Sequence, residues 1–481
     1  MSNLLLLFIV PFVCALIAFI FPRIPRRFAI ALSFLPLAIL LYGHSQWIGS
    51  QINYSWLPNL AIHFHLSIDG LSLVFLYLTA IITPVSLYAT TRTELSHSNV
   101  FFGLVLLLQA FLIGFFTTRD LAVFTLFWEA MLIPLYFIIA YWGGPQRQSA
   151  ALKFLIYMIG GSSLMVAAVL FLFVGSSSFD FDTLSKISET LPHAGWVFAI
   201  FALAFAVKTP LFPFHAWLPD AYCQAPTTGT ILLSGILSKA GIYGFLRIGL
   251  ELFPDLMKEW SPLLIGLAIA GVFYGSLAAW MQRDFKRLIA YSSLAHVNFI
   301  LAGVFAWSQI AHTGAILQSV NHGITISALF LVASWLELRL GTTRMSQATG
   351  LAKYFPQLCW LTLFFVVASV ALPGTNNFVG ELLILLGLFQ QNPWVAAFLA
   401  LSVILSVIYM LRWMQKVYFE EACPEQPGWI DIKRREFLYA LPLVALILWI
   451  GIYPTPVLNL IQKQTPTPVA SLSIDSLKEI Q

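Results

Sequence analysis

Residues 197–246 read VFAIFALAFAVKTPLFPFHAWLPDAYCQAPTTGTILLSGILSKAGIYGFL, two apolar runs of membrane-spanning length that carry one lysine each, Lys208 and Lys239. A lysine near the centre of a bilayer costs about 2.5–3.5 kcal/mol on insertion scales. Such residues need a reason. Directly after Lys208 come Pro210, Pro213 and Pro219. Each removes a ladder hydrogen bond and kinks or breaks the helix. Freed carbonyls are tolerated at membrane depth only where protein buries them or water reaches them. This stretch therefore predicts a broken helix (helix 7) followed by a second span (helix 8), each carrying a lysine at membrane depth.

The rest of the chain agrees. Of 481 residues, 59% are hydrophobic and 10% are charged, against about 25% charged in a soluble protein. At about 20 apolar residues per span, that supply furnishes about fourteen crossings. Apolar runs place the fourteen near 3–21, 27–43, 70–91, 100–117, 119–141, 152–175, 195–219, 227–249, 260–280, 287–307, 313–336, 357–389, 394–419 and 437–459. The expected fold is an all-α membrane protein. Run 3–21 lacks a cationic start and a small-residue cleavage site, so it is expected to be retained rather than removed as a signal. The net charge of +4 arises from 25 basic and 21 acidic residues spread thinly, which excludes a nucleic-acid binder. The four cysteines have no metal-ligand spacing. His63 and His65 offer two ligands, too few to argue a metal site.

Loop charges give a direction. Connections after odd-numbered helices hold most of the lysines and arginines, among them Arg23, Arg26, Arg27, Arg92, Lys153 and Arg339. Connections after even-numbered helices hold only Arg119, Lys186, Arg247, Lys258, Lys463 and Lys478. By the positive-inside rule, both termini are expected away from the cytoplasm.

Besides the lysines, two carboxylates stand inside spans: Glu129 in LAVFTLFWEAMLIPLYFIIAYW and Glu381 in ALPGTNNFVGELLILLGLF. A structural ion pair between Glu129 and Lys208 is the plain alternative, but four buried charges on four helices exceed what one clamp needs. A chain of such groups linked by water carries protons. Glu381 follows Pro373, Gly374, Asn376 and Asn377, so helix 12 is expected to be broken like helix 7. Counting five helices per unit, helix 7 of a block of helices 4–8 matches helix 12 of a block of helices 9–13, which makes Lys208 and Glu381 pseudo-symmetric partners. Interrupted helices in corresponding positions point to a transporter's ion path. His322 in SVNHGITISALF is the candidate link between Lys239 and Glu381. His296 in AYSSLAHVNFI reads first as a satisfied core histidine.

FWEAMLIPLYFIIAYWGG, AVKTPLFPFHAWLPDAYCQAPTTGTILLSGILSKAGIYGFLR, RDFKRLIAYSSLAHVNF and LPGTNNFVGELLILLG resemble the antiporter-like membrane subunits of bacterial respiratory complex I, the NADH:quinone oxidoreductase. The M type is the most similar: the L and N types carry a lysine where Glu381 stands, and the L type continues into a long lateral helix. The resemblance covers nearly the whole chain. It implies that the two five-helix repeats are inverted. The division expected is helices 1–3 in 1–99, a first repeat in 100–250, a second in 251–420, and a cytoplasmic loop, helix 14 and tail in 421–481.

The same resemblance implies a relay in which Glu129 pairs with and tunes Lys208, Lys239 is central, and His322 connects it to Glu381, with His296 a secondary member. It implies a multi-pass subunit of the bacterial cell membrane that binds no cofactor of its own. Its expected partners are L-type and N-type neighbours and lipids, with protons as the transported species. The alternatives from other classes are a subunit of a multi-component sodium/proton antiporter and a passive assembly scaffold.

Overall fold

The computed structural model describes residues 3–463 apart from 23, 45, 91–95, 425, 426 and 428. Arg23, Arg92 and Lys478 of the charge count lie outside the described residues. Among the described residues, eleven helices are long and apolar enough to cross a membrane. They correspond to the expected helices 1, 3, 4, 5, 6, 8, 9, 10, 11, 13 and 14. The apolar runs expected as helices 2, 7 and 12 each form two shorter helices instead. Helix 2 divides into Arg26–Ser33 and Leu35–Tyr42 at Phe34, where Pro36 cannot donate to the preceding turn. Helix 7 divides into Ala194–Lys208 and Leu218–Gln224, and helix 12 into Pro356–Ser369 and Asn376–Gln391. The breaks fall where prolines and Gly374 interrupt the apolar pattern, as expected.

One element was not expected. Strands β1 (Gln51–Leu57) and β2 (Ile62–Ser67) form an antiparallel hairpin, with Tyr54 opposite Phe64 and Asn53 opposite His65. Its turn is Pro58–Leu60, closed by Ala61 in the left-handed region. This amends the all-α expectation at one end of the bundle. Leu66 bridges to Thr118, which fixes the hairpin over the start of helix 5.

A repeated clasp shows the inverted symmetry. Arg119-Asp120 and Arg283-Asp284 open helices 5 (from Leu121) and 10 (Phe285–Phe305). Each aspartate caps its helix by accepting backbone N–H groups of the first turn, Ala122 and Val123 in one case and Arg287 in the other. In the first, Leu121 N donates to Phe179 O at 2.8 Å and Phe181 N to Arg119 O at 2.9 Å. In the second, Phe285 N donates to Thr343 O at 3.0 Å and Met345 N to Arg283 O at 2.9 Å. The two clasps stand at opposite ends of the bundle. The first adjoins the hairpin. The second lies with Lys286–Glu337 and with Asp220, which takes both Lys153 and Arg287.

Burial ranks the helices. Thr227–Leu252 (helix 8) is buried along its whole length, Phe285–Phe305 and Gly70–Tyr88 (helix 3) nearly so, and Arg434–Ile452 (helix 14) mostly faces outward. Exposed Leu16, Ile20, Val174, Trp394 and Ile452 belong to that outer layer. Since chain and lipid are equally apolar, helices associate here through close packing and internal polar bonds. Helix 7 approaches helix 8 at Gly241, where a Cβ would fall 1.7 Å from Thr209 Oγ1 and 2.7 Å from Phe205 O. Gly241→Val is therefore expected to lower the thermal midpoint of the detergent-solubilised chain, at the cost of about 1–3 kcal/mol typical of overpacking. Gly266→Ala, which meets nothing within 4 Å, leaves the midpoint unchanged. Equal melting of the two variants would remove this contact from the account.

Candidate functional site

Helix 8 has no lipid-facing side, so every polar group on it must be satisfied by its neighbours. Two π-helical turns, Leu233–Leu237 and Phe245–Gly249, interrupt its regular ladder. Turns of this kind occur mostly at functional sites. Lys239 follows the first. Its ammonium donates to Ser234 O at 2.5 Å and Ser238 Oγ at 3.1 Å, and lies 2.9 Å from His322 Nδ1 on helix 11 (Gln309–Leu340). The Lys239–His322 contact serves both protonation states. A charged lysine donates to a bare Nδ1, and a neutral lysine accepts from a protonated one. Helices 8 and 11 are held together here by small residues. A Cβ on Gly235 would lie 2.5 Å from Ser327 Oγ, and one on Gly323 would lie 2.7 Å from Gly235 O.

From His322 the polar line continues to helix 10. The His322 and His296 rings are 5.7 Å apart between centroids and tilted by 33°. His296 Nδ1 on helix 10 lies 3.3 Å from Glu381 Oε1 on helix 12, which also accepts from Gln318 Nε2 at 3.2 Å. His296, His322 and Glu381 are all buried, and the Nε2 atoms of both histidines have no protein partner. A small polar cavity beside His296 and Glu381 is lined by Ser276, Ser402, Ser406 and Tyr409. It has room for about one water molecule. His322 thus touches Lys239 but reaches Glu381 through His296, which is more than the core histidine of the sequence reading.

The other end of the expected relay differs. Lys208 closes the first half of helix 7, whereas Glu381 stands inside the second half of helix 12, so the two do not occupy equivalent places relative to the breaks. The Lys208 ammonium donates to Trp128 O at 2.9 Å and lies 3.8 Å from the centroid of the Trp128 ring. Helix 5 is interrupted at Met131, just before Pro134. Glu129 is only half-buried, and no ion pair within 4.0 Å joins it to Lys208. A carbonyl and a ring face of Trp128 are thus the direct contacts of the Lys208 ammonium, while Glu129 acts on it electrostatically from further away. The Trp128 indole donates to Ser162 Oγ at 3.0 Å, which fixes that ring. Lys208 and Lys239 share no hydrogen-bond partner.

Sequence reasoning misplaced one residue. Arg247, counted there as a loop charge, is 1% exposed inside helix 8. Its guanidinium meets Asp69 at 2.7 Å and Glu251 at 3.2 Å, and its Nε donates to Tyr243 Oη at 3.2 Å. Burial alone would raise the Asp69 carboxyl, but the Arg247 guanidinium and the Ser72 amide hold it below the usual range. Glu251 also takes both Arg119 guanidinium nitrogens, at 2.5 and 3.0 Å. The available signal was the four-residue spacing Lys239, Tyr243, Arg247, Glu251, a stripe along one helix face. Nearby, His65 Nδ1 is 2.9 Å from Asp180 Oδ1.

A family model described as the transmembrane region of NADH:quinone oxidoreductase and Mrp antiporters matches residues 118–408. The chain belongs to this family. NADH-quinone oxidoreductase subunit M of Rickettsia prowazekii is 38% identical over 411 residues, 84% of this chain and 83% of that one. NADH-ubiquinone oxidoreductase chain 4 of Marchantia polymorpha is 36% identical over 489 residues, covering 96% and 97%. A chain of respiratory complex I from Thermus thermophilus with bound NADH superposes with a TM-score of 0.87 at 33% identity, over 95% of this chain and 98% of that one. A chain of the Mrp complex from Dietzia sp. DQ12-45-1b shares the fold, with a TM-score of 0.86 at 23% identity over 97% of this chain and 53% of that one. The family members share an antiporter-like, multi-pass architecture, and this chain is one of them.

Outside the spans, the hydrogen bond from His65 holds the Asp180 carboxyl below its usual range against partial burial. A depressed carboxyl stabilises the fold above its unfolded pKa, and that contribution is lost as pH falls through the folded value. Asp180→Asn is expected to cost about 1 kcal/mol at pH 7. The gap to the parent should close below about pH 4, as measured by thermal unfolding across pH. A gap that is constant with pH would show that the carboxylate's charge plays no part.

Proposed function

We propose that the chain is the M-type proton-translocating subunit of a membrane-bound NADH:quinone oxidoreductase, in which redox work in other chains drives protons along Lys239, His322, His296 and Glu381. The observation that carries this reading is the contact line from Lys239 through both imidazoles to Glu381, which crosses helices 8, 11, 10 and 12. Each member is a group whose proton can leave and return, and each is buried away from lipid. The step between the imidazoles passes through a bridging water or a small ring rotation. Lys239 comes from the repeat at 100–250, and the other three come from the repeat at 251–420.

Lys208 and Glu129 form the input. Glu129 lies within electrostatic range of Lys208 without bonding it, so a change of charge on the half-exposed face of helix 5 alters the field at Lys208. Moving a proton against 150 mV costs about 3.5 kcal/mol on the scale of about 2.3 per 100 mV. At about 1.4 kcal/mol per pKa unit, swings of two to three units in the relay suffice. Transfer from Lys208 to Lys239 requires water between helices 7 and 8, where Thr209 carries a buried hydroxyl without a protein partner.

The redox chemistry belongs to other chains, and this one carries no flavin, iron–sulfur cluster or quinone. Its partners are L-type and N-type antiporter-like subunits and lipid. Of the described basic residues in the expected odd-numbered connections, Arg26 bonds Thr90 O and Arg339 bonds Glu436 at the end opposite the hairpin. Asn3 borders Gln51 of the hairpin, and Lys463 O accepts from Gly70 N at the same end. With the positive end in the cytoplasm of a bacterial cell, both described chain ends face away from it.

In inside-out vesicles holding the assembled complex, Lys239→Ala and His296→Leu are expected to lower protons moved per NADH oxidised by about tenfold or more, the loss typical of a removed acid–base group. Glu129→Gln is expected to give a smaller, partial loss, because Glu129 acts on Lys208 through space. Near-normal pumping by Lys239→Ala, with the subunit retained in the complex, would refute the relay.

A further inference from the structure

Helix 8 also points the other way. From Lys239, the stripe Tyr243, Arg247, Glu251 descends toward the hairpin end and finishes at a polar cavity of about 230 Å3 lined by His65, Asp69, Arg119, Asp182 and Glu251. Lys239 and Glu251 are about 18 Å apart along the helix, at 1.5 Å per residue. Such a stripe is a short circuit. A proton on Lys239 could leave through it without visiting His322, His296 or Glu381, and protons could return from the cavity to the centre of the relay.

Arg247 blocks that line. Its guanidinium does not deprotonate in proteins, so it neither accepts nor passes on a proton. It is 1% exposed and held on two sides by Asp69 and Glu251, so it cannot swing out of the way. A cation that gives up no proton of its own, paired with both carboxylates, interrupts the line, as an arginine does in pores that exclude protons. The groups on either side are also occupied. The Tyr243 hydroxyl donates to Phe116 O at 2.9 Å while accepting from Arg247. Both Glu251 oxygens are taken by Arg119, with Arg247 sharing one of them.

We infer that Arg247, pinned between Asp69 and Glu251, is a proton-excluding plug that closes the hairpin-end branch of helix 8 and confines protons to the line toward Glu381. The inference rests on the relay reading for its path, and its first test does not use NADH. The whole complex is reconstituted into liposomes enclosing a pH-sensitive dye, and passive proton entry under an imposed potential is measured for the parent, Arg247→Met and Arg247→Lys. Loss of the charge in Arg247→Met should raise proton entry by about tenfold or more. Arg247→Lys keeps a cation, but one whose buried amine can release its proton, and should leak more than the parent and less than Arg247→Met.

A tight Arg247→Met complex overturns the plug. Should Arg247→Met fail to assemble, Tyr243→Phe decides with little change in shape. A plugged branch carries no productive protons, so pumping per NADH stays at the parent level. A loss of half or more would make the stripe an exit and overturn the inference. Failure here with Lys239→Ala still abolishing pumping leaves the relay standing, whereas normal pumping by Lys239→Ala removes the relay itself.

Discussion

A lysine with no exposed surface, on a helix that never meets lipid, sets the terms for everything around it. Lys239 is 0% exposed, and an ammonium sealed in that way is costly unless each of its protons has an acceptor. The π-helical turn before it supplies one acceptor in Ser234 O, Ser238 supplies a second and His322 a third. The rest of the bundle follows from keeping those three in place. Helix 11 must approach closely, which explains the contact of Gly235 with Gly323. Helix 10 must then bring His296 beside His322, and the second half of helix 12 must bring Glu381 beside His296.

The interrupted helices solve a different problem. A continuous helix commits most of its carbonyls to its own ladder, and a break frees them for a buried cation. Lys208 finds its acceptor in Trp128 O, beside the interruption at Met131, and it closes the first half of helix 7 at its own break. Trp217, from the far side of that break, donates to Val207 O and keeps the two halves in register. Local irregularity thus takes over the work that the sequence assigned to an opposite charge.

What the sequence made visible, and what it hid, divides along physical lines. Apolar runs and prolines act within one segment, so the long spans and the breaks in helices 7 and 12 could be read from it. The hairpin left a trace in the alternation of IHFHLS, but short strands outside the membrane compete poorly for notice with twenty-residue apolar runs. Arg247 was assigned to a loop because a charge eight residues beyond Lys239 sits where a span of average length would end, and helix 8 is longer than average. The direction of Glu129 was not legible. It depends on which face of helix 5 meets helix 7, a tertiary fact. The role of His296 depends likewise on three helices converging. The paired clasps at Asp120 and Asp284 lie between: the Arg-Asp pairs are plain in the sequence, but only their bonded loops show that they are copies in opposite orientation.

The glycine contact between helices 8 and 11 has a mechanical corollary. Where backbone lies against backbone there is no side chain to act as a bearing, so these helices cannot slide past or roll over each other by a fraction of a turn without collision. The spacing between the lysine amine and the imidazole is thereby built in, as the gap of a spark plug is set by its casting. Any stroke that separates them must come from torsions in the two side chains. Larger displacement of backbone is left to the segments at 209–217 and 370–375, where the helical ladder is broken.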